Sequence, residues 1–159
     1  MISIKDSYER SLNDCLRNAN LPLTDLGEPV AFLQNAYHAF TNGAFMVVCS
    51  LAGKPNDVAR TERIKRFAAE LDGAPADSED PELNLVEGWV AHVEGANIDD
   101  SPEPQRDVFH DLFKAGIQFF VTEVRSNTTE FDRPRYERLK REVADACEHD
   151  EVLEDLNLH

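Results

Sequence analysis

The chain has 159 residues and carries 31 Asp and Glu against 16 Lys and Arg, a net charge of −15. It is long enough to bury one core without disulfide or metal staples. Its 42% apolar and 30% charged content lies within the globular range, which argues against a disordered chain. The acidic excess repels phosphate backbones and anionic lipid heads, so neither direct nucleic-acid binding nor a membrane partner is expected.

The longest apolar run, Ala44 to Cys49, falls far short of the roughly 20 residues of a spanning helix. Cys15, Cys49 and Cys147 are odd in number and show no Cys-x-x-Cys spacing, and no signal-peptide pattern opens the chain. A soluble, cytoplasmic protein is expected, with no cofactor.

Ser3 caps a first predicted helix with Ile4, Tyr8, Leu12, Cys15 and Leu16 on one stripe, closing before Leu21-Pro22. Pro29 opens a long second helix on Val30, Leu33, Tyr37, Phe40, Ala44, Val47 and Leu51. Gly43 inside that stripe marks either close packing or a break, and Phe45 to Ser50 taken alone favours a strand. The stripe holds its register across the glycine, so a helix is predicted.

Asn56 caps a third helix with Ile64, Phe67, Ala68 and Leu71 inward, stopped by Gly73. Asp80-Pro81-Glu82 starts a fourth, whose stripe reads Leu83, Val86, Val90 and Val93, flanked by Trp89. Ser101-Pro102 opens a fifth, apolar over a wide arc from Phe109 to Val124 and therefore expected at the centre. Pro134 starts the sixth, with Tyr136, Leu139, Val143 and Cys147 inward. The predicted class is all-α, one compact bundle of about six helices.

Thr61-Glu-Arg-Ile-Lys-Arg66 and Tyr136-Glu-Arg-Leu-Lys-Arg141 repeat at a spacing of 75. At a spacing of 73 Phe40 meets Phe113, Gly43 meets Gly116 and Val48 meets Val121. Matches in two successive helices, offset by a short loop indel, predict duplicated helical hairpins over 30–72 and 103–149, joined by an acidic central helix.

Nine of the 16 basic residues fall in or just before the two repeated stretches, at Arg60 to Arg66 and Arg133 to Arg141, whereas Phe67 to Gln105 holds acids and no Lys or Arg. Cations in the first half of a helix oppose its macrodipole, so a compensating partner is expected for them. Pairing with the acidic central helix or the acidic C-terminal segment is the expectation.

The histidines suggest one chemical site. A hairpin turning near Ser101 sets His92 and His110 equidistant from the turn, with Asp107 one helical turn before His110, a weak likeness to half of a helical-bundle metal site. His38, beside Tyr37 and Phe40, reads as a core or boundary histidine. No Gly-rich phosphate loop and no nucleophile elbow occurs, and Cys49 in an apolar segment argues against a reactive thiol.

Asn42-Gly43-Ala44-Phe45 resembles the Asn-Gly-Gly-Phe element of helical DNA-mimic proteins over four residues and departs from it at Ala44; no residue role is carried over. The leading expectation is a non-enzymatic interaction module of the inhibitor, immunity or DNA-mimic kind. Its acidic face, with Glu79, Asp80, Glu82, Glu87, Trp89, Glu94, Asp99 and Asp100, would contact a basic surface on a protein partner. The alternatives are a small metal-dependent enzyme using His92, His110 and Asp107, and a salt-adapted scaffold without catalysis. A homodimer is compatible with each reading.

Overall fold

A computed structural model describes residues 3–21, 29–74, 85–96, 98, 101–125 and 130–156, with the side chains of the last helix described up to Cys147. Six helices follow in chain order: α1 (Ile4–Asn18), α2 (Pro29–Ala52), α3 (Asp57–Leu71), α4 (Leu85–Ala96), α5 (Glu103–Glu123) and α6 (Arg133–Leu156). No strand occurs among the described residues; an isolated bridge joins Arg125 and Phe131.

The helix ends follow local chemistry. The Ser3 hydroxyl accepts from the Asp6 amide at 3.2 Å, and the Asn56 side-chain oxygen accepts from the Ala59 amide at 2.9 Å. Gly73, at φ +99°, takes the left-handed turn that ends α3. The segment Phe45 to Ser50 is helical, and the fourth helix's predicted start at Asp80 to Glu82 lies outside the described residues.

Two central helices, α2 and α5, run in the same direction and cross at their glycines. Phe32 meets Phe109 near the amino ends, with centroids 5.2 Å apart, and Tyr136 reaches both Phe120 and the Val48 carbonyl near the carboxyl ends. Between them Gly43 lies against the backbone of Phe113 and Ile117, and Gly116 against that of Phe40 and Ala44. A Cβ at either glycine would overlap the facing carbonyl oxygen, so backbone approach is what both positions require.

The remaining helices pack around this pair in matched fashion. Under exchange of α1 with α4, α2 with α5 and α3 with α6, each substantial contact maps onto another: α1 lies on α5 as α4 lies on α2, and α6 lies on α2 as α3 lies on α5. The aromatic contacts correspond as well. Tyr8 meets Tyr37 and Phe40, and Trp89 meets His110 and Phe113, which stand 73 positions later.

The exchange is incomplete in the outer helices. Arg63 is 4% exposed, donates from Nε to the Ser50 hydroxyl at 2.8 Å and stacks on Phe67. Arg138, at the same place in the repeated stretch, is exposed. The buried face of α6 (Tyr136, Leu139, Val143) is rotated relative to that of α3 (Arg63, Ile64, Phe67), although Ile64 and its counterpart Leu139 are both fully buried.

Arg60 and Arg135, 75 positions apart, show what offsets basic residues at a helix start. Arg60 donates to the carbonyls of Leu51 and Lys54 at 3.3 Å each, and Arg135 donates to the Arg125 carbonyl at 3.1 Å. Each guanidinium therefore sits at the negative carboxyl end of the preceding central helix. Asp57 and Asp132 pair with them one turn back, and Arg133 crosses to Asp57 at 3.1 Å. Hydrogen bonds from Arg133 and then Arg60 hold the Asp57 carboxyl below its usual range. For Arg60 and Arg135 compensation thus comes from carbonyl ends and nearby aspartates, rather than from the acidic α4.

Candidate functional site

The predicted stripe of α4 is split: Val93 packs half-buried against the core, while Val86 and Val90 face away from it, and Leu83 lies outside the described residues. Leu85, Gly88 and His92 are buried, whereas Val86 and Val90 are 61% and 49% exposed. Gly88 lies on that buried face against the Met46 sulfur, so α4 sits on α2 through its smallest residue. His92, 6% exposed, secures the same face by a long-range bond.

That bond runs through Asn42. Its amide nitrogen donates to Nε2 of His38 at 3.1 Å and to Nδ1 of His92 at 2.9 Å, tying α4 to α2. His38 is thus a boundary residue with a structural bond, its ring 5.2 Å from that of His92.

Trp89 lies between the two histidines expected to converge. Its ring centroid is 5.5 Å from that of His92 and 4.8 Å from that of His110. His110 and Asp107 line one groove, while His92 faces the other side of α4. Burial, helped by Lys114, pushes the His110 imidazole below its ordinary pKa, with Asp107 and Asp111 opposing. Among the described residues no three His, Cys, Asp or Glu side chains gather as a metal-holding group.

Helix α4 therefore stands as a ridge between two trenches. On the α2 side lies a mainly apolar trench of about 560 Å³, lined by Phe45, Met46, Cys49, Ala91 and Phe113, with Asn42 and His92 at its floor. On the α5 side lies a trench of about 520 Å³ where Trp89, Val90 and Val93 meet Glu94, Glu103 and Asp107, with Arg106 the single base. Of the acidic residues expected at an interface, Glu87 and Glu94 are exposed on α4, and Trp89 is half-buried beside them. Glu79, Asp80, Glu82, Asp99 and Asp100 lie outside the described residues.

Cys49 is exposed in the first trench, and partial burial raises its thiol pKa; Cys15, buried near Asp111 and Asp14, is pushed up to about 11. Both shifts disfavour the nucleophilic thiolate. The feature that sequence reasoning missed is the outward face of α4. Its signal was the pair of exposed valines, which a helical stripe counts as core.

The outward face of α1 provides an internal comparison. With Tyr8 matched to Trp89, a shift of 81, the exposed positions coincide, yet α1 presents Lys5, Asp6, Glu9, Arg10, Asn13 and Asp14 where α4 presents Val86, Glu87, Val90, Ala91, Glu94 and Gly95. Phe45, 45% exposed on α2, corresponds to Gln118 on α5. No helix among the described residues is long and apolar enough to cross a membrane. No family model, no curated protein and no solved structure matches this chain.

Proposed function

We propose that the protein is a non-enzymatic interaction module that presents α4, with Phe45 beside it, to a basic surface on another protein. The observation that carries this reading is the contrast between the outward faces of α1 and α4. Both lie on a central helix in corresponding places, and of the two α4 alone keeps large apolar side chains in water. Exposed apolar groups in one place mark contact surfaces. The acids at Glu87, Glu94, Glu103 and Asp107 together with the net charge of −15 favour a cationic partner, whose approach they would accelerate in a salt-dependent way.

The matched contacts and the paired glycines support a further part of this reading, that the chain holds two copies of one three-helix unit. One copy would serve as scaffold and the other would carry recognition. An inhibitor or immunity role fits such a division, and the free thiols Cys15 and Cys49 fit a reducing cytoplasm.

The test is site-specific photo-crosslinking with a benzophenone side chain placed at Val90 or, as the matched control, at Glu9. The reading expects an adduct from Val90 that fades as salt rises from 50 to 500 mM, maps to a Lys/Arg-rich surface and is absent from Glu9. Equal adducts from both positions, or none from Val90, would refute it.

A further inference from the structure

The two trenches beside α4 differ in chemistry, and that difference specifies the partner element more closely. Residues Asn42 to Gly53 line the α2 side over 11 steps, about 17 Å of helix, and α4 itself has 12 residues, about 18 Å. Both trenches thus run alongside a rod of about three turns. The wall on one side is apolar, through Phe45, Met46 and Phe113, and on the other it carries three carboxylates and one guanidinium.

The ridge between them is low. Ala91 and Gly95 stand one turn apart on its crest, both exposed. A Cβ at Gly95 would meet nothing within 4 Å, in contrast to Gly43, Gly88 and Gly116, each of which faces an interior neighbour. Packing among the described residues therefore gives no reason for a glycine there, while a rod laid across the crest would use the missing side chain to approach closely. The described residues present no strand edge for backbone pairing, so a helix-in-groove mode is the one this surface supports. A second copy of the chain would set Glu87 and Glu94 against their like and is disfavoured on charge.

We infer that α4 receives a cationic amphipathic helix of a partner protein, its apolar side chains entering the α2 trench and its Lys or Arg side chains meeting Glu87, Glu94, Glu103 and Asp107. The inference rests on α4 being the recognition face and adds the secondary structure, polarity and register of what binds there. A bound helix covers Phe45, Val90 and Cys49 together, since these residues flank the same trench and ridge.

The experiment uses the full chain and three synthetic 18-residue peptides. One has Leu at i, i+3, i+4 and i+7 with Lys elsewhere, one has the same composition scrambled, and one replaces Lys by Glu. Affinity is read by calorimetry and by emission of Trp89, the single tryptophan. Location is read from the rate at which iodoacetamide alkylates Cys49.

The expected result is that the Leu/Lys helix binds at least tenfold more tightly than either other peptide and slows Cys49 alkylation at least fivefold. Val90→Ser and Phe45→Ser, folded by circular dichroism, should each weaken it at least threefold, and Glu87→Gln with Glu94→Gln should flatten its salt dependence. Scrambled peptide binding within threefold of the amphipathic one would overturn the helical inference while leaving an acidic interaction face standing. Equal binding of the Leu/Glu peptide would overturn the cationic assignment. Binding of no peptide, or binding without protection of Cys49, would overturn the site itself, whatever the crosslinking at Val90 shows.

Discussion

Replacing Gly43 by alanine places a methyl group where α2 and α5 touch backbone to backbone. The new Cβ would overlap the Phe113 carbonyl oxygen and lie 3.1 Å from its carbon and 3.3 Å from the Ile117 nitrogen. None of these atoms belongs to a flexible side chain, so relief requires the two central helices to separate by roughly 1 Å, a small fraction of the usual 8–10 Å interaxial distance. Their interface holds Phe40, Phe113 and Phe120, all within 1% of full burial, and a separation loosens each of them.

Overpacking of a close-packed core costs about 1–3 kcal/mol, occasionally more. Alanine returns about 1 kcal/mol of helix propensity. With rigid backbone on both sides the upper end of the cost applies, for a net loss of about 2 kcal/mol. Gly116→Ala, facing Phe40 and Ala44 in the same way, should lose a similar amount.

The double variant should lose less than the sum by about 1 kcal/mol, since one separation of the helices makes room for both methyl groups. Urea unfolding followed by circular dichroism measures all three, with constant m-values as the check on two-state behaviour. A melting-point drop of about 4–8 °C corresponds to each single change in a chain of this size. Single variants as stable as the parent, or strictly additive losses, would refute the close crossing.

Four further outcomes follow from the same geometry. Gly95→Ala should raise stability by about 0.5–1 kcal/mol in urea unfolding, since its Cβ meets nothing, and Gly73→Ala should lower it by about 1 kcal/mol because φ is +99° there. Burial keeps His110 neutral below the pH where the unfolded residue protonates, about 6.5. The unfolded state then binds more protons, so this site's contribution is full above about pH 6.5 and is lost as pH falls towards the lowered folded value. His110→Phe, which keeps a ring against Trp89, should therefore gain on the parent in urea midpoint between pH 7.5 and 5.5, and a gap that stays flat would contradict the assignment. Among the thiols, Cys49 should react with a disulfide reagent in the native state and Cys15 only on unfolding, so simultaneous reaction of the two would contradict their burial.

The number of helices, most of their ends and the central place of the fifth were legible in the sequence because they depend on neighbours in the chain. Ser3 and Asn56 cap through bonds three residues away, and the stripes of α1, α2 and α5 each run along one face. The spacing of 73 between Gly43 and Gly116 was equally visible, yet its meaning as a mutual backbone contact required the two helices to be set side by side.

Tertiary structure alone decided the orientation of α4. Its apolar residues fall on two faces, so periodicity could not choose between Val86 with Val90 and Leu85 with Gly88. The buried face makes its contacts 42–50 residues away, where Gly88 lies against Met46 and His92 meets the Asn42 amide. The same holds for Arg63 and Arg138, alike in local sequence and opposite in burial, because the buried face of α6 is rotated relative to that of α3. Which residues form a helix is settled within a few turns; which side of it meets water depends on surfaces brought in from elsewhere, and the candidate recognition face of this protein is of that second kind.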